Sequence, residues 1–185
     1  MKVIGVVGRI GSGKDTIVNY ISTKCSIPIF SIGDIAREIA KREGLLPTRK
    51  NLHQITERYY ERFGRTYFIH GTVSRIKRSN SEKMLITGIR TPTDVAYLKK
   101  HFHEDFILIS VSVNKRKRFQ RLKARAEPRD PKTWREFLEQ DLDEETIFHL
   151  SESLRLADHK IDNNGTLEEL FRKVDEIIEE MIASN

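Results

Sequence analysis

The chain has 185 residues, 38% of them hydrophobic and 32% charged, with a formal net charge of +6. That length supports a single globular domain whose core needs no staple, and the lone cysteine, Cys25, excludes a disulfide framework and reads as filler at the end of the first helix. No apolar run approaches the roughly 20 residues of a bilayer span, and the first residues lack a signal-peptide pattern, so a reducing, cytoplasmic setting is expected.

Strand and helix signals then alternate along the chain. A buried strand is expected over Lys2–Val7, a glycine-rich loop after it, and a helix over Lys14–Lys24. Ile27–Phe30 reads as a short second strand, and a helix over Asp34–Arg42 is stopped by Gly44 and Pro47. Asn51–Phe63 is a helix broken at Gly64, and Thr66–Arg78 continues as another. Met84–Thr87 is the third strand. Thr91, Pro92 and Asp94 then start a helix with a cap, a first-turn proline and a third-position acid. Phe106–Val113 is the fourth strand, and Asn114 caps a helix to about Arg125. A proline-bounded loop, Ala126–Pro131, precedes a capping box at Thr133 and Glu136. Asp158–Ile161 is the last strand, and Thr166 caps the terminal helix after a turn at Asn163–Gly165. The alternation predicts an α/β fold with a five-stranded, mostly parallel sheet and helices on both faces, with no repeat or linker to divide it.

The loop carries the most chemistry. Gly8, Gly13 and Lys14 have the G-x-x-x-x-G-K spacing of a phosphate-binding loop, between a strand and a helix as that motif requires. Gly8, Gly11 and Gly13 let main-chain N–H groups approach an anion at the positive end of the helix. Lys14 adds a point charge for the β- and γ-phosphates. Asp15 stands where Ser or Thr is usual, so Asp15 or Thr16 is the candidate Mg²⁺ ligand. Ligands of such sheets sit beyond the carboxyl ends of the strands. That rule places Ser31, Asp34, Arg37, Gly88, Arg90, the basic helix from Lys115 and the Asn163–Gly165 turn around the loop. His101 and His103 make a poor metal pair, none of the six histidines is an expected ligand, and Tyr59 and Tyr60 read as packing residues.

With these segments in this order, the chain resembles the P-loop kinases of the nucleoside-monophosphate kinase class, in particular adenylate kinase-related and dephospho-CoA kinase-like proteins. The similar segments are the loop, Ser31–Arg37, Leu85–Arg90, Arg118–Arg125 and Ala157–Leu170, spanning nearly the whole length. The resemblance implies one P-loop kinase domain over 1–185, an acceptor-binding helical region over about 33–80 and a short lid over about 121–140. Three departures bear on Mg²⁺ geometry and rate more than on nucleotide binding: Asp15, Thr87 where many relatives carry an acid, and Gln140 where relatives often carry arginine.

The implied activity is transfer of the γ-phosphate of ATP, with Mg²⁺, to a nucleoside monophosphate or dephospho-CoA. Nucleotide contacts fall on Gly8, Arg9, Ile10, Gly11, Ser12, Gly13, Lys14, Asp15 and Thr16, with Arg121, Arg125 and Asn164. Lys14, Asp34 and Arg125 are the catalytic candidates, Asp34 orienting the acceptor oxygen and Arg125 closing over the γ-phosphate with Arg129 or Arg121. Asp34, Arg37 and Arg90 are the acceptor candidates, since a forked guanidinium suits a phosphate; Arg49, at a helix start, is a weaker one. Two alternatives remain open: a nucleotide-binding sensor or accessory protein with slow or no transfer, and a nucleic-acid-associated NTPase motivated by the charge. The basic residues are not interleaved with aromatics as in single-strand binders, so nucleic acid is not the expected partner.

Overall fold

The computed structural model describes residues 1–183. Five parallel strands form one sheet in the order β2-β3-β1-β4-β5: β1 (Lys2–Gly8), β2 (Ile29–Ser31), β3 (Lys83–Thr87), β4 (Phe106–Ser112) and β5 (His159–Asp162). The sequence anticipates a mostly parallel sheet; every pair in it is parallel. The central strand β1 alternates strictly. Val3 and Val7 face one layer and Ile4 and Val6 the other, as expected for a strand covered on both sides.

The first layer contains α2 (Gly33–Arg42), α3 (Arg49–Phe63), α4 (Tyr67–Arg78), α5 (Pro92–Phe102) and α8 (Leu150–Arg155). The second contains α1 (Lys14–Cys25) and α9 (Leu167–Ala183), with Ile17, Ile21, Leu170 and Val174 packed on Ile109 and Val111. Cys25 is a half-buried free thiol against this second cluster. A third, smaller cluster of Ile10, Leu122 and Phe137 joins the loop to α6 (Lys115–Arg125) and α7 (Trp134–Phe148). Among the described residues no helix is long and apolar enough to cross a membrane.

The boundaries differ from the sequence reading by one to two residues in most elements, and the differences have local causes. Helix α3 begins at Arg49, two residues before the expected Asn51, because Thr48 caps it: its hydroxyl accepts from the Asn51 amide at 3.2 Å. The helix opened by Thr133 ends at His149, which adopts a left-handed conformation with φ 52° and starts the short α8. The sequence offers no glycine there to announce the break. Thr91 and Asp94 form the expected reciprocal box.

Candidate functional site

At the carboxyl ends of β1, β2 and β3 lies a cleft of about 300 Å³. One wall is the loop between β1 and α1. Gly11 and Gly13 have φ of 72° and 89°, a region costly for side-chain-bearing residues. A Cβ at Gly13 would collide with the Asn163 amide group, so only glycine fits on both counts. The amides of Gly13, Lys14, Asp15 and Thr16 have no main-chain acceptor among the described residues and point out at the start of α1. Ser12 is buried and its Oγ has no partner. This is a cradle of unspent donors at a positive helix end, the arrangement that binds phosphate.

The loop is held from behind. Arg118 of α6 and Asp141 of α7 are both buried and make a bidentate pair, at 2.7 and 3.0 Å. The same guanidinium donates to the carbonyl of Ile10 at 3.2 Å and lies 4.9 Å over the Phe137 ring. Burial alone would raise the Asp141 carboxyl, but the Arg118 fork outweighs it and holds it below the usual range. Asn163 donates to the Ser12 carbonyl at 2.9 Å and accepts, through its own carbonyl, from Arg121 at 3.0 Å. Helices α6 and α7 thus meet at the loop itself.

The opposite wall comes from α2, α3 and α5. Arg37 is paired with Asp34 at 2.5 Å and donates to the Ser31 hydroxyl at 3.1 Å. Deeper in, the buried Glu144 accepts from the Ile10 amide at 3.4 Å and from Arg49 at 3.5 Å, and lies 3.7 Å from Arg90. Arg90 sits over Phe148 at 4.9 Å, and His53 meets the same ring edge-on. Burial, then the Arg90 and Arg49 charges, lower the His53 pKa to about 4, so its ring is neutral near pH 7. Burial pushes the Asp94 carboxyl up; its Oδ2 accepts from the Arg90 and Thr91 amides, which oppose that shift. Burial likewise raises the Tyr60 phenol, leaving it a neutral donor.

Of the residues expected from sequence, Gly8, Ile10, Gly11, Lys14, Asp15, Arg37, Arg90 and Arg125 line this one cleft, and Arg49 and Arg129 join them. Arg125 is held by Asp130 and Glu127 within the lid segment. Three expected nucleotide contacts are engaged elsewhere. Arg9 turns away from the cleft to Glu145 and Ser151 of α7 and α8. Arg121 is spent on Asn163. Asn164 bridges Asn114 and Asp162, and its neighbour Asn163 is the residue that touches the loop. Glu144, His53 and Tyr60 line the cleft without having been singled out as site residues. His53 follows Arg49 by one helical turn, which is a usable signal. Glu144 is one acid in an acid-rich helix, which is not.

Residues 7–137 match a family described as AAA domain. The UPF0200 protein of Hyperthermus butylicus is 35% identical over 167 residues, covering 90% of this chain and 88% of that one. The UPF0200 protein of Pyrococcus horikoshii is 31% identical over 185 residues, covering 98% of each. Among solved structures, a gluconokinase from Sinorhizobium meliloti 1021 superposes with a TM-score of 0.60 at 15% identity, covering 100% of this chain and 97% of that one. Shikimate kinase from Acinetobacter baumannii in complex with shikimate gives 0.59 at 16% identity, covering 100% and 95%. At those identities the likeness is one of fold, and the fold is that of the P-loop small-molecule kinases. By its AAA-domain match and by full-length relatives above 30% identity, the chain belongs to the UPF0200 protein family.

Proposed function

We propose that this protein is an ATP-dependent phosphotransferase acting on a small nucleotide-type acceptor, a nucleoside monophosphate or dephospho-CoA. The observation that carries this reading is a set of unspent loop amides on one wall of a cleft whose opposite wall holds Arg37, Arg49 and Arg90. A triphosphate fits the first wall, because the amides of Gly13, Lys14, Asp15 and Thr16 have no main-chain acceptor among the described residues and Ser12 Oγ lacks a partner. Mg²⁺ fits the oxygen donors at the start of α1: Asp15 is more than half exposed, 3.6 Å from Lys14 Nζ, with Thr16 next to it. When bound, Mg²⁺ supplies charge neutralisation across the β- and γ-phosphates.

The chain's own residues supply the rest. Lys14 and the loop amides hold the β- and γ-oxygens in line. Asp34 orients the acceptor oxygen and takes its proton where that oxygen is a hydroxyl. Arg90, and Arg37 within its pair with Asp34, hold the acceptor's anionic group. Arg125, with Arg129, closes over the γ-phosphate and excludes water, which limits hydrolysis. The test is ADP release coupled to a panel of nucleoside monophosphates and dephospho-CoA, with Mg²⁺ and ATP. An acceptor that raises turnover above background hydrolysis supports transfer; nucleotide binding with no stimulation by any acceptor favours a sensor or accessory role instead. Lys14→Ala must remove the signal.

A further inference from the structure

The deep end of the acceptor wall contains more polar groups than its own contacts use. Arg49 Nε, His53 Nε2 and Asp94 Oδ1 are each buried with no hydrogen-bond partner. All three residues line the cleft, and all three belong to the same wall. Buried polar atoms are almost always paired, so three orphans on residues that line one cavity mark the neighbourhood of a polar ligand group. Two of them are donors or can donate: the Arg49 N–H, and the neutral imidazole when its proton is on Nε2. Phe148 fixes the direction of both the Arg90 guanidinium and the His53 ring.

The charge of this cluster is limited from within. Arg49 and Arg90 contribute two positive charges, and Glu144, buried between them, removes one. Asp94 contributes nothing when protonated and one further negative charge when ionised. The excess is therefore one positive charge at most. Arg37 does not add to it while paired with Asp34, nor Arg125 with Asp130, nor Arg129 with Glu127, and Lys14 lies beside Asp15 on the loop wall. A phosphomonoester, doubly charged near pH 7, would bring more negative charge into this buried place than the arginines can balance, and unbalanced buried charge is expensive.

We infer that Arg49, Arg90 and His53 form the seat of the acceptor's anionic group, and that Glu144 restricts this seat to a single negative charge. The acceptor is then a hydroxyl-bearing monoanion carrying a carboxylate or a single phosphodiester, in place of both nucleotide-type acceptors named above. This deepens the phosphotransferase reading and rests on it for the transfer step. In that step the acceptor hydroxyl oxygen bonds to the γ-phosphorus as the bond from that phosphorus to the β–γ bridging oxygen breaks. The hydroxyl proton passes to Asp34, and ADP leaves with the bridging oxygen and its electron pair.

The experiment measures binding and transfer separately on the full chain. Calorimetric titration, in the presence of a non-hydrolysable ATP analogue, compares gluconate and shikimate with AMP, CMP and dephospho-CoA, whose pyrophosphate diester is doubly charged; ADP release is followed with ATP for the same five. The expected result is tighter binding of at least one hydroxyl monoanion than of either monophosphate. Glu144→Gln, which keeps an oxygen for the Ile10 amide, is expected to shift the ratio at least about tenfold toward the monophosphates. Arg49→Met should weaken every acceptor that binds, and thermal melts of both variants check their folding. If AMP or CMP binds more tightly than every monoanion, or none of the monoanions binds, the seat is overturned on the wild-type protein alone. It is also overturned if a folded Glu144→Gln protein keeps the wild-type ratio. If the binding order and its Glu144 dependence hold while no acceptor raises ADP release, the seat stands and the phosphotransferase reading falls.

Discussion

The loop wall of the cleft and the helical wall facing it are finished to different degrees. The main chain of the loop is fixed before any ligand arrives: Ile10 is held through its amide by Glu144 and through its carbonyl by Arg118, and Ser12 through its carbonyl by Asn163. The helical wall presents Arg49, His53 and Asp94 with polar atoms left over. On the proposed phosphotransferase reading, the difference follows from what each wall would do. A triphosphate tail is the same in every nucleotide, so its cradle is worth building rigid, since preorganised donors cost no reorganisation during transfer. An acceptor differs from enzyme to enzyme, and the wall that recognises it is completed only by the ligand that fits.

The largest effect expected tests the rigidity of the loop wall. Arg118→Met leaves the buried Asp141 only its longer contacts, Arg9 at 3.5 Å and Lys115 at 3.8 Å, and should lower unfolding free energy by about 3 kcal/mol in denaturant titration. Arg118→Met combined with Asp141→Leu should recover part of that loss. A double variant as unstable as the single would mean that the pair does not anchor α6 to α7.

Next in size is Lys14→Ala, which should reduce transfer by about 10²–10³-fold, as for loss of one preorganised charge at a reacting group. Its melting temperature should stay close to wild type, because the side chain's ion partner is the exposed Asp15 at 3.6 Å. A large fall in melting temperature would make the loop wall less independent of its ligand groups than described.

On the helical wall, His53 makes stability depend on pH with a defined sign. Its pKa falls from 6.5 to about 4 on folding, first through burial and then through Arg90 and Arg49. The unfolded chain therefore binds the extra proton in that interval. The neutral ring's contribution is full above about pH 6.5 and is lost as pH falls toward 4, by on the order of 2 kcal/mol. Chemical denaturation at a series of pH values should show His53→Gln with a flatter acid limb than wild type; parallel limbs would remove His53 from the buried wall. The smallest effect is on the frame of that wall. Thr91→Ala loses the cap that the Asp94 amide uses at 3.0 Å and should cost about 1 kcal/mol.

The sequence made some of this legible for physical reasons. Local rules placed the loop, because Gly8, Gly13 and Lys14 lie within one short stretch between a strand and a helix. Local rules also placed the Thr91–Asp94 box and the two-faced alternation of β1. Glu144 was not legible, because its meaning comes from Ile10, Arg49 and Arg90, which are far from it in the chain. Asn163 and Asn164 are adjacent and chemically identical; only the trajectory of β5 decides that the first reaches Ser12 and the second turns back to Asp162. The arginines of α6 share a helix face, yet Arg118 goes to Asp141, Arg121 to Asn163 and Arg125 to Asp130. Spacing shows that such residues are neighbours, and tertiary packing assigns their partners.

The junction at Arg118, Asp141 and the Ile10 carbonyl has one more consequence. Both chain segments bordering the Ala126–Thr133 stretch are clamped at the same point, so whatever is inserted between them is mechanically insulated from the nucleotide grip. That stretch can therefore lengthen, shorten or change composition during divergence without moving the main chain of the loop. A chimera carrying a relative's lid on this body should keep the nucleotide affinity of the body and take on the hydrolysis rate of the donor of the lid.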